Sequence, residues 1–185
     1  MTHARMALVL ASLLALAALP ARAADYVQAP GSTLAFGGTY LGEPFAGRFP
    51  EFRTTFSFDP ADLANAKLEV AITLASATTN NADYDTEMRG ASFFDAARFP
   101  EAHYRATAFR HLGDNRYAAD GTLSLHGIDK PVTLEFTWTP GEQPLLVGKA
   151  TVRRLAFGIG AGDWADTSVI PDAIAISTRV RFNPR

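Results

Sequence analysis

Ser124 and His126 are the pair of side chains in this sequence that most resembles a catalytic arrangement. Two residues apart on a strand, they would point to the same face, with the imidazole placed to take a proton from the hydroxyl. Such a pair also needs a buried acid that orients the imidazole, and the surrounding sequence places none there. We therefore predict no catalytic residue and no enzymatic activity.

Metal binding is the next chemistry to consider, because histidines and acids recur along the chain. His103 and His111 are eight residues apart, about 26 Å along an extended strand, which is too far for a shared ion. Asp83, Asp85 and Glu87 alternate as in a calcium loop but lack the glycine and the final bidentate glutamate of such loops. These acids are interpreted as solvated loop charges, and no metal site is predicted.

A third candidate is the glycine-rich stretch RRLAFGIGAGDW, residues 153–164, which resembles a phosphate-binding loop. A dinucleotide loop needs glycines at positions one, three and six before a helix. Counted from Gly158, position six is Asp163, and the next residues predict a strand instead of a helix. The stretch is therefore expected to be a flexible rim, with Trp164 as its lid. Arg154 would meet an anionic head group or pair with Asp163 or Asp166; both alternatives stay open.

The ends and the composition set the compartment. An apolar run over residues 6–19, followed by Ala21-Arg22-Ala23, is typical of a cleavable secretory signal. We expect residues 1–23 to be removed, leaving 24–185 as one domain in the periplasm or outside the cell, without a membrane span. The formal net charge of −2 is scattered with no basic stripe, which argues against nucleic acid. The chain has no cysteine.

The elements that must position any site are mostly strands, because apolar and polar residues alternate with period two. Short turn sequences separate eight predicted strands, at 34–40, 52–58, 67–74, 103–111, 116–125, 132–138, 145–157 and 174–182. Helix is expected only as one turn at 59–64, with Asp59 as N-cap, and in a crossover at 81–89 and 92–97. The predicted fold is all-β, an antiparallel barrel or sandwich.

The balance of large and small residues bears on whether the interior is hollow. The chain has 13 Phe, 5 Tyr and 2 Trp, and alanines such as Ala106 and Ala108 neighbour Tyr104. Large rings beside alanines favour a barrel with space for an apolar ligand. Ordinary packing of large against small side chains remains the alternative.

Three motifs resemble one known family. Residues 121–132 (GTLSLHGIDKPV) resemble the G-x-L-T-I-H-G-V-T-K-P-V signature of the YceI-like family, the bacterial polyisoprenoid-binding, lipocalin-like proteins. Residues 85–95 with Phe99-Pro100, and residues 154–159 (RLAFGI), are similar to two further family blocks. Departures are Tyr84 in place of arginine and Glu87 in place of histidine, which leave the ligand head group open.

The resemblance implies an eight-stranded antiparallel lipocalin-like barrel with a short helical crossover. It implies a binding protein that holds a polyisoprenoid, quinone-type or fatty lipid, and no cofactor beyond that ligand. Transport, storage or sequestration would be its role, with transient contact to a membrane or a quinone-handling redox protein. The alternative functions are an interaction module for a redox or envelope-stress partner and a lipid-acting enzyme. A homodimer is a further expectation.

Site residues are predicted from the inward positions of the strands and the crossover. The expected cavity lining is Phe52, Phe56, Leu68, Val70, Ile72, Phe94, Phe99, Tyr104, Leu134, Phe136, Trp138, Val152 and Ile176. Phe94 or Phe99 would alternatively only seal the core. The candidates for the mouth and the head group are Tyr84, Arg89, Arg154, Asp163 and Trp164.

Overall fold

The computed structural model describes residues 24–185, so the predicted signal peptide at 1–23 lies outside the described residues. Within 24–185, no helix has the length and apolar character needed to cross a membrane. The strands are β1 Ala24–Gln28, β2 Thr33–Tyr40, β3 Glu43–Arg48, β4 Phe52–Phe58, β5 Lys67–Thr73, β6 Glu101–Gly113, β7 Arg116–Leu125, β8 Ile128–Thr139, β9 Leu145–Arg153 and β10 Ala173–Pro184. The helix α1 is Ala82–Arg89, and 3-10 turns occupy Leu63–Asn65, Leu74–Ser76, Arg154–Phe157 and Gly162–Trp164.

Eight of these strands close into a barrel. The antiparallel order β1-β4-β5-β6-β7-β8-β9-β10 returns to β1, which pairs with β10 through Tyr26 and Pro184. The β2–β3 hairpin extends the same sheet, since β2 pairs with β10 over residues 175–179. The predicted eight-stranded antiparallel barrel is confirmed.

Strands β1 and β3 were not predicted. β1 is only five residues long, and β3 (EPFAGR) has no period-two pattern because proline and glycine interrupt it. Its Gly47 is required by packing: a Cβ there would lie 2.2 Å from the ring of Phe36. Conversely, the strand predicted to reach residue 157 ends at Arg153 and gives way to a 3-10 turn.

The crossover helix at 81–89 is confirmed. Asn81 caps it, because its side-chain oxygen accepts hydrogen bonds from the backbone N–H groups of Asp83 and Tyr84. The segment 92–97 forms successive turns rather than a helix. The predicted turn at 59–64 also shifts, since Asp59 accepts from the Ala61 N–H and the 3-10 turn begins only at Leu63.

The two ends of the barrel differ. One end, here called the plug end, carries the hairpin between β8 and β9 and is filled by eight packed rings. Ring centroids are 4.7 Å apart for Phe56 and Phe58, and 5.3 Å apart for Phe58 and Trp138. This aromatic plug consists of Tyr26, Phe56, Phe58, Phe109, Tyr117, Phe136, Trp138 and Phe182. The other end, the helix end, carries α1 and the long 154–172 connection.

Candidate functional site

A cavity of about 300 Å³ lies inside the barrel between the aromatic plug and the helix end. That volume is at the lower end of the range for small-molecule sites, about 300–1,000 Å³. Its wall is almost entirely aliphatic and aromatic, with Thr54 and Thr178 among the few hydroxyl-bearing residues. An apolar wall of this kind favours an apolar ligand over water.

Most of the predicted lining residues do face this cavity. On β5, Leu68, Val70 and Ile72 occupy alternate positions and point inward, as the period-two pattern requires. The predicted residues that line the cavity are Leu68, Val70, Ile72, Phe94, Tyr104, Leu134, Val152 and Ile176. Whether they bind a ligand stays a prediction.

Five predicted lining residues do not reach the cavity. Phe56, Phe136 and Trp138 point inward but belong to the aromatic plug, where Phe56 lies 5.8 Å from Phe136 and 5.5 Å from Trp138. Phe52 is buried in the core outside the lining. Phe99 packs against the imidazole of His126, with 4.9 Å between the ring centroids. The alternation predicted which face each residue occupies but not its depth along the barrel axis.

Other lining residues were not predicted. Leu34 and Phe36 alternate on β2, and Leu146 and Ala150 on β9, so the same period-two signal identifies them. Ile159 and Ile170 come from the 154–172 connection, where no periodicity exists to indicate an inward direction.

Tyr104 is a buried residue of the barrel wall, and its hydroxyl has a structural role. Its hydroxyl lies 2.8 Å from the Ala119 carbonyl oxygen and 3.1 Å from that of Val132. Burial raises the pKa of Tyr104 well above its ordinary value, so the phenol stays neutral. Its role is to tie β6 to β7 and β8.

Aromatic side chains frame the mouth of the cavity at the helix end. Between ring centroids, Tyr40 lies 6.0 Å from Tyr84 and 6.4 Å from Trp164. The ring centroids of Trp164 and Phe93 are 5.6 Å apart. Tyr84 and Trp164 line the cavity as expected, and Tyr84 is 46% exposed. The mouth is therefore a ring of large amphipathic side chains that meets solvent.

Two predicted mouth residues lie elsewhere. Arg89 is turned away from the cavity: it donates to the Ala77 carbonyl at 2.9 Å and lies 3.9 Å from the Asp85 carboxylate. Asp163 is an exposed residue of the 3-10 turn Gly162–Trp164 and does not line the cavity. Both sit beside the mouth in sequence, but their side chains face other groups or solvent.

Arg154 lines the cavity, and it forms no ion pair with a carboxylate of the described chain. It is 3% exposed, and all five of its N–H donors are directed at backbone carbonyls. The acceptors are the carbonyls of Ile159, Gly160, Trp164, Ile170 and Pro171, at 2.7–3.1 Å. Within residues 24–185, no carboxylate lies within 4 Å of the guanidinium.

The predicted pairing of Arg154 with Asp163 or Asp166 is therefore wrong. Asp166 instead accepts hydrogen bonds from the N–H and hydroxyl of Ser168. Burial lowers the pKa of Arg154, while nearby Asp172 opposes that effect. The 154–172 connection wraps its own carbonyl dipoles around one buried cation, and this arrangement fixes the rim of the cavity.

Gly160 allows that wrapping. Gly158, Gly160 and Gly162 have φ of +70°, +62° and +69°, which turns the backbone in the left-handed region. The predicted bend is confirmed, and no α-helix comes after it to hold a phosphate in the described chain, 24–185. A Cβ on Gly160 would lie 2.6 Å from the nearest guanidinium nitrogen of Arg154 and 3.2 Å from the ring of Phe93.

Gly160→Ala is expected to lower the free energy of unfolding by about 2–3 kcal/mol, combining a left-handed backbone cost with overpacking. Urea unfolding followed by circular dichroism would measure it. The matched control is Gly162→Ala, where a Cβ would meet nothing within 4 Å, and only about 1 kcal/mol is expected. Equal losses in the two variants would contradict the proposed crowding at residue 160.

Asp85 anchors α1 over the cavity. Its carboxylate accepts hydrogen bonds from the Thr78 hydroxyl at 2.6 Å, and from the Thr79 N–H at 2.6 Å and hydroxyl at 2.8 Å. Burial by itself would raise the pKa of Asp85, but these bonds and the charge of Arg89 lower it below its ordinary value. The ionised form therefore holds the helix in place.

Because this pKa is lowered on folding, Asp85 stabilises the protein above the unfolded pKa of about 4, and the stabilisation is lost as pH falls through the folded pKa. Asp85→Asn is expected to reduce the free energy of unfolding by about 1–3 kcal/mol at pH 7. The variant should also lose less stability than the natural protein between about pH 5 and the acid limit, as urea titrations would show. Parallel pH profiles would contradict this role.

The three histidines among residues 24–185 have structural partners. His126, at a turn with φ of +54°, places Nδ1 3.0 Å from the Phe157 carbonyl oxygen. His111 Nε2 lies 2.7 Å from the Asp114 carbonyl oxygen, and His103 lies 3.5 Å from Glu101. In the described part of the chain, no group of three or more histidines and acids is close enough to hold a metal ion.

Several known proteins are similar in sequence to this chain. A UPF0312 protein of Vibrio parahaemolyticus is 37% identical over 121 residues, which is 63% of this chain and 64% of that protein, just under two thirds of its length. A UPF0312 protein of Pseudomonas syringae pv. tomato is 34% identical over 164 residues, 82% of this chain and 85% of the relative.

Solved structures share the fold. Burkholderia cenocepacia BcnA has a TM-score of 0.78 at 28% identity, covering 81% of this chain and 95% of BcnA. A polyisoprenoid binding domain from Saccharophagus degradans has a TM-score of 0.69 at 15% identity, covering 88% and 99% of the two chains. The family model described as the YceI-like domain matches residues 26–182, almost the whole described barrel. The chain therefore belongs to the YceI-like family.

Proposed function

We propose that the protein binds one long apolar chain, isoprenoid or fatty, inside the barrel and keeps it out of water. The observation that carries this proposal is the apolar cavity of about 300 Å³ between the aromatic plug and a mouth framed by Tyr40, Tyr84 and Trp164. Each methylene buried there contributes about 0.8 kcal/mol, so a chain of several methylenes binds without a charged anchor.

The solved neighbour from Saccharophagus degradans, whose name states polyisoprenoid binding, supports a lipid ligand for this fold. The role is transport, storage or sequestration in the periplasm or outside the cell, after removal of the N-terminal signal. The bound lipid is the only small molecule the function needs, and no catalytic step is part of it. Membranes or a quinone-handling redox protein would exchange the ligand at the mouth.

The experiment is recovery of the ligand from the protein expressed with its own N-terminal segment. Protein from the periplasmic fraction would be extracted with organic solvent and the extract analysed by mass spectrometry. We expect one class of long-chain amphiphile in near-stoichiometric amount. An extract without apolar compounds, together with no binding of added polyprenyl lipids, would refute the proposal.

A further inference from the structure

The charged side chains at the cavity decide which head groups it accepts. Among the described residues that line it, two are charged: Arg154 and Glu87. The other lining residues are apolar or carry a hydroxyl, an indole or a thioether group. The head group of a bound amphiphile therefore meets these two residues and the hydroxyls of the mouth.

Arg154 is not available to an anion. Each of its five N–H groups already donates to a backbone carbonyl of the 154–172 connection. Bidentate recognition of a phosphate or carboxylate needs two free donors on one guanidinium. Releasing two donors would leave the carbonyls that they serve buried and unpaired.

Glu87 is available. It is an exposed residue on α1 that lines the cavity, and within residues 24–185 no basic nitrogen lies within 4 Å of its carboxylate. Arg89, two residues further on, is directed at Ala77 and Asp85 instead. The mouth therefore offers one carboxylate that only accepts hydrogen bonds, beside the hydroxyls of Tyr40 and Tyr84, which both donate and accept.

The electrostatic field of the residues around the mouth is also negative. The two segments that frame the mouth, 79–90 and 154–172, contain six acidic residues and two basic residues, and one of the acids, Asp172, pairs with Arg153. A negative field around an opening repels anions and concentrates cations at it. This negative field and the occupied donors of Arg154 both disfavour an anionic head group.

We propose that the cavity selects amphiphiles that end in a hydroxyl or an amine over those that end in a phosphate or a carboxylate. The inference rests on the proposed function, since it specifies the head group of the proposed ligand. The amine or hydroxyl donates to the Glu87 carboxylate at the mouth while the chain fills the barrel.

The test uses three probes that share one chain: geranylgeranylamine, geranylgeraniol and geranylgeranyl phosphate. Affinities would be measured by displacement of a fluorescent fatty probe at low salt, for the natural protein and for Glu87→Gln. Comparing each ligand between the two proteins cancels the solvation of the ligand itself. The matched control is Glu142→Gln, an exposed glutamate in the hairpin at the plug end.

In Glu87→Gln we expect amine affinity to fall about threefold to fivefold, phosphate affinity to rise about twofold or more, and alcohol affinity to stay constant. The control should change none of them, and about 0.5 M salt should shrink the differences. Unchanged amine and phosphate affinities, or a natural protein that binds the phosphate more tightly than the alcohol, would overturn the inference alone. Binding of none of the three would overturn the proposed function with it.

Discussion

Replacing Arg154 with methionine is expected to lower the free energy of unfolding by about 3–5 kcal/mol. Methionine preserves the bulk of the side chain but donates no hydrogen bond, so five backbone carbonyls of the 154–172 connection lose their partners. Each buried acceptor left unpaired costs about 1–3 kcal/mol before the connection rearranges. Urea unfolding at neutral pH would measure the change.

The neighbouring arginine provides the control. Arg153 is largely exposed and forms one ion pair with Asp172 at 3.2 Å, so Arg153→Met should cost less than about 1 kcal/mol. Arg154→Lys should fall between the two, because an ammonium has three donors for five carbonyls. Similar losses for the methionine variants at 153 and 154 would contradict the role assigned to the buried guanidinium.

Ala150→Trp is expected to weaken binding of a long-chain ligand by more than about tenfold while leaving the barrel folded. Ala150 faces the cavity from the middle of β9, opposite Ile176 on β10. An indole there occupies space that the chain would fill, and losing burial of about two methylenes already costs about 1.6 kcal/mol. Displacement of a fluorescent fatty probe would measure the affinity.

Thr151→Trp is the matched control, because the next residue of β9 is exposed on the outer surface of the barrel. It adds the same ring at nearly the same height but outside the cavity, so affinity should stay within about twofold. Circular dichroism would establish that both variants keep their strands. Unchanged affinity in Ala150→Trp would place the ligand outside the barrel.

The sequence predicted which face of the sheet a side chain occupies, but not how far along the barrel axis it lies. Alternation identified Leu68, Val70 and Ile72 as inward, because the direction of a side chain on a strand is a local effect of backbone geometry. Phe56 and Trp138 alternate in the same way, yet they fill the plug rather than line the cavity. Which rings meet across the barrel depends on strand register and tilt, which no single strand encodes.

Arg154 shows a second limit of sequence reasoning. Acids nearby in the chain suggested an ion pair. A sequence shows which side chains are charged, but it does not show where backbone carbonyls point. Those directions depend on positive φ at Gly158, Gly160 and Gly162, and on where the connection returns after residue 164. The glycines indicated a bend. Only the folded structure shows that backbone carbonyls of this connection accept hydrogen bonds from Arg154.

Because the aromatic plug closes one end of the barrel, a bound ligand would enter and leave by the other end. Eight packed rings close one end of the barrel, while the lining residues of the described chain reach solvent at Tyr84 and Glu87 on α1. A chain held in such a blind pocket leaves by the opening through which it entered, in reverse order of entry. Under the proposed function, donor and acceptor would compete for one face of the protein, so delivery would proceed by successive visits and not by passage through the barrel.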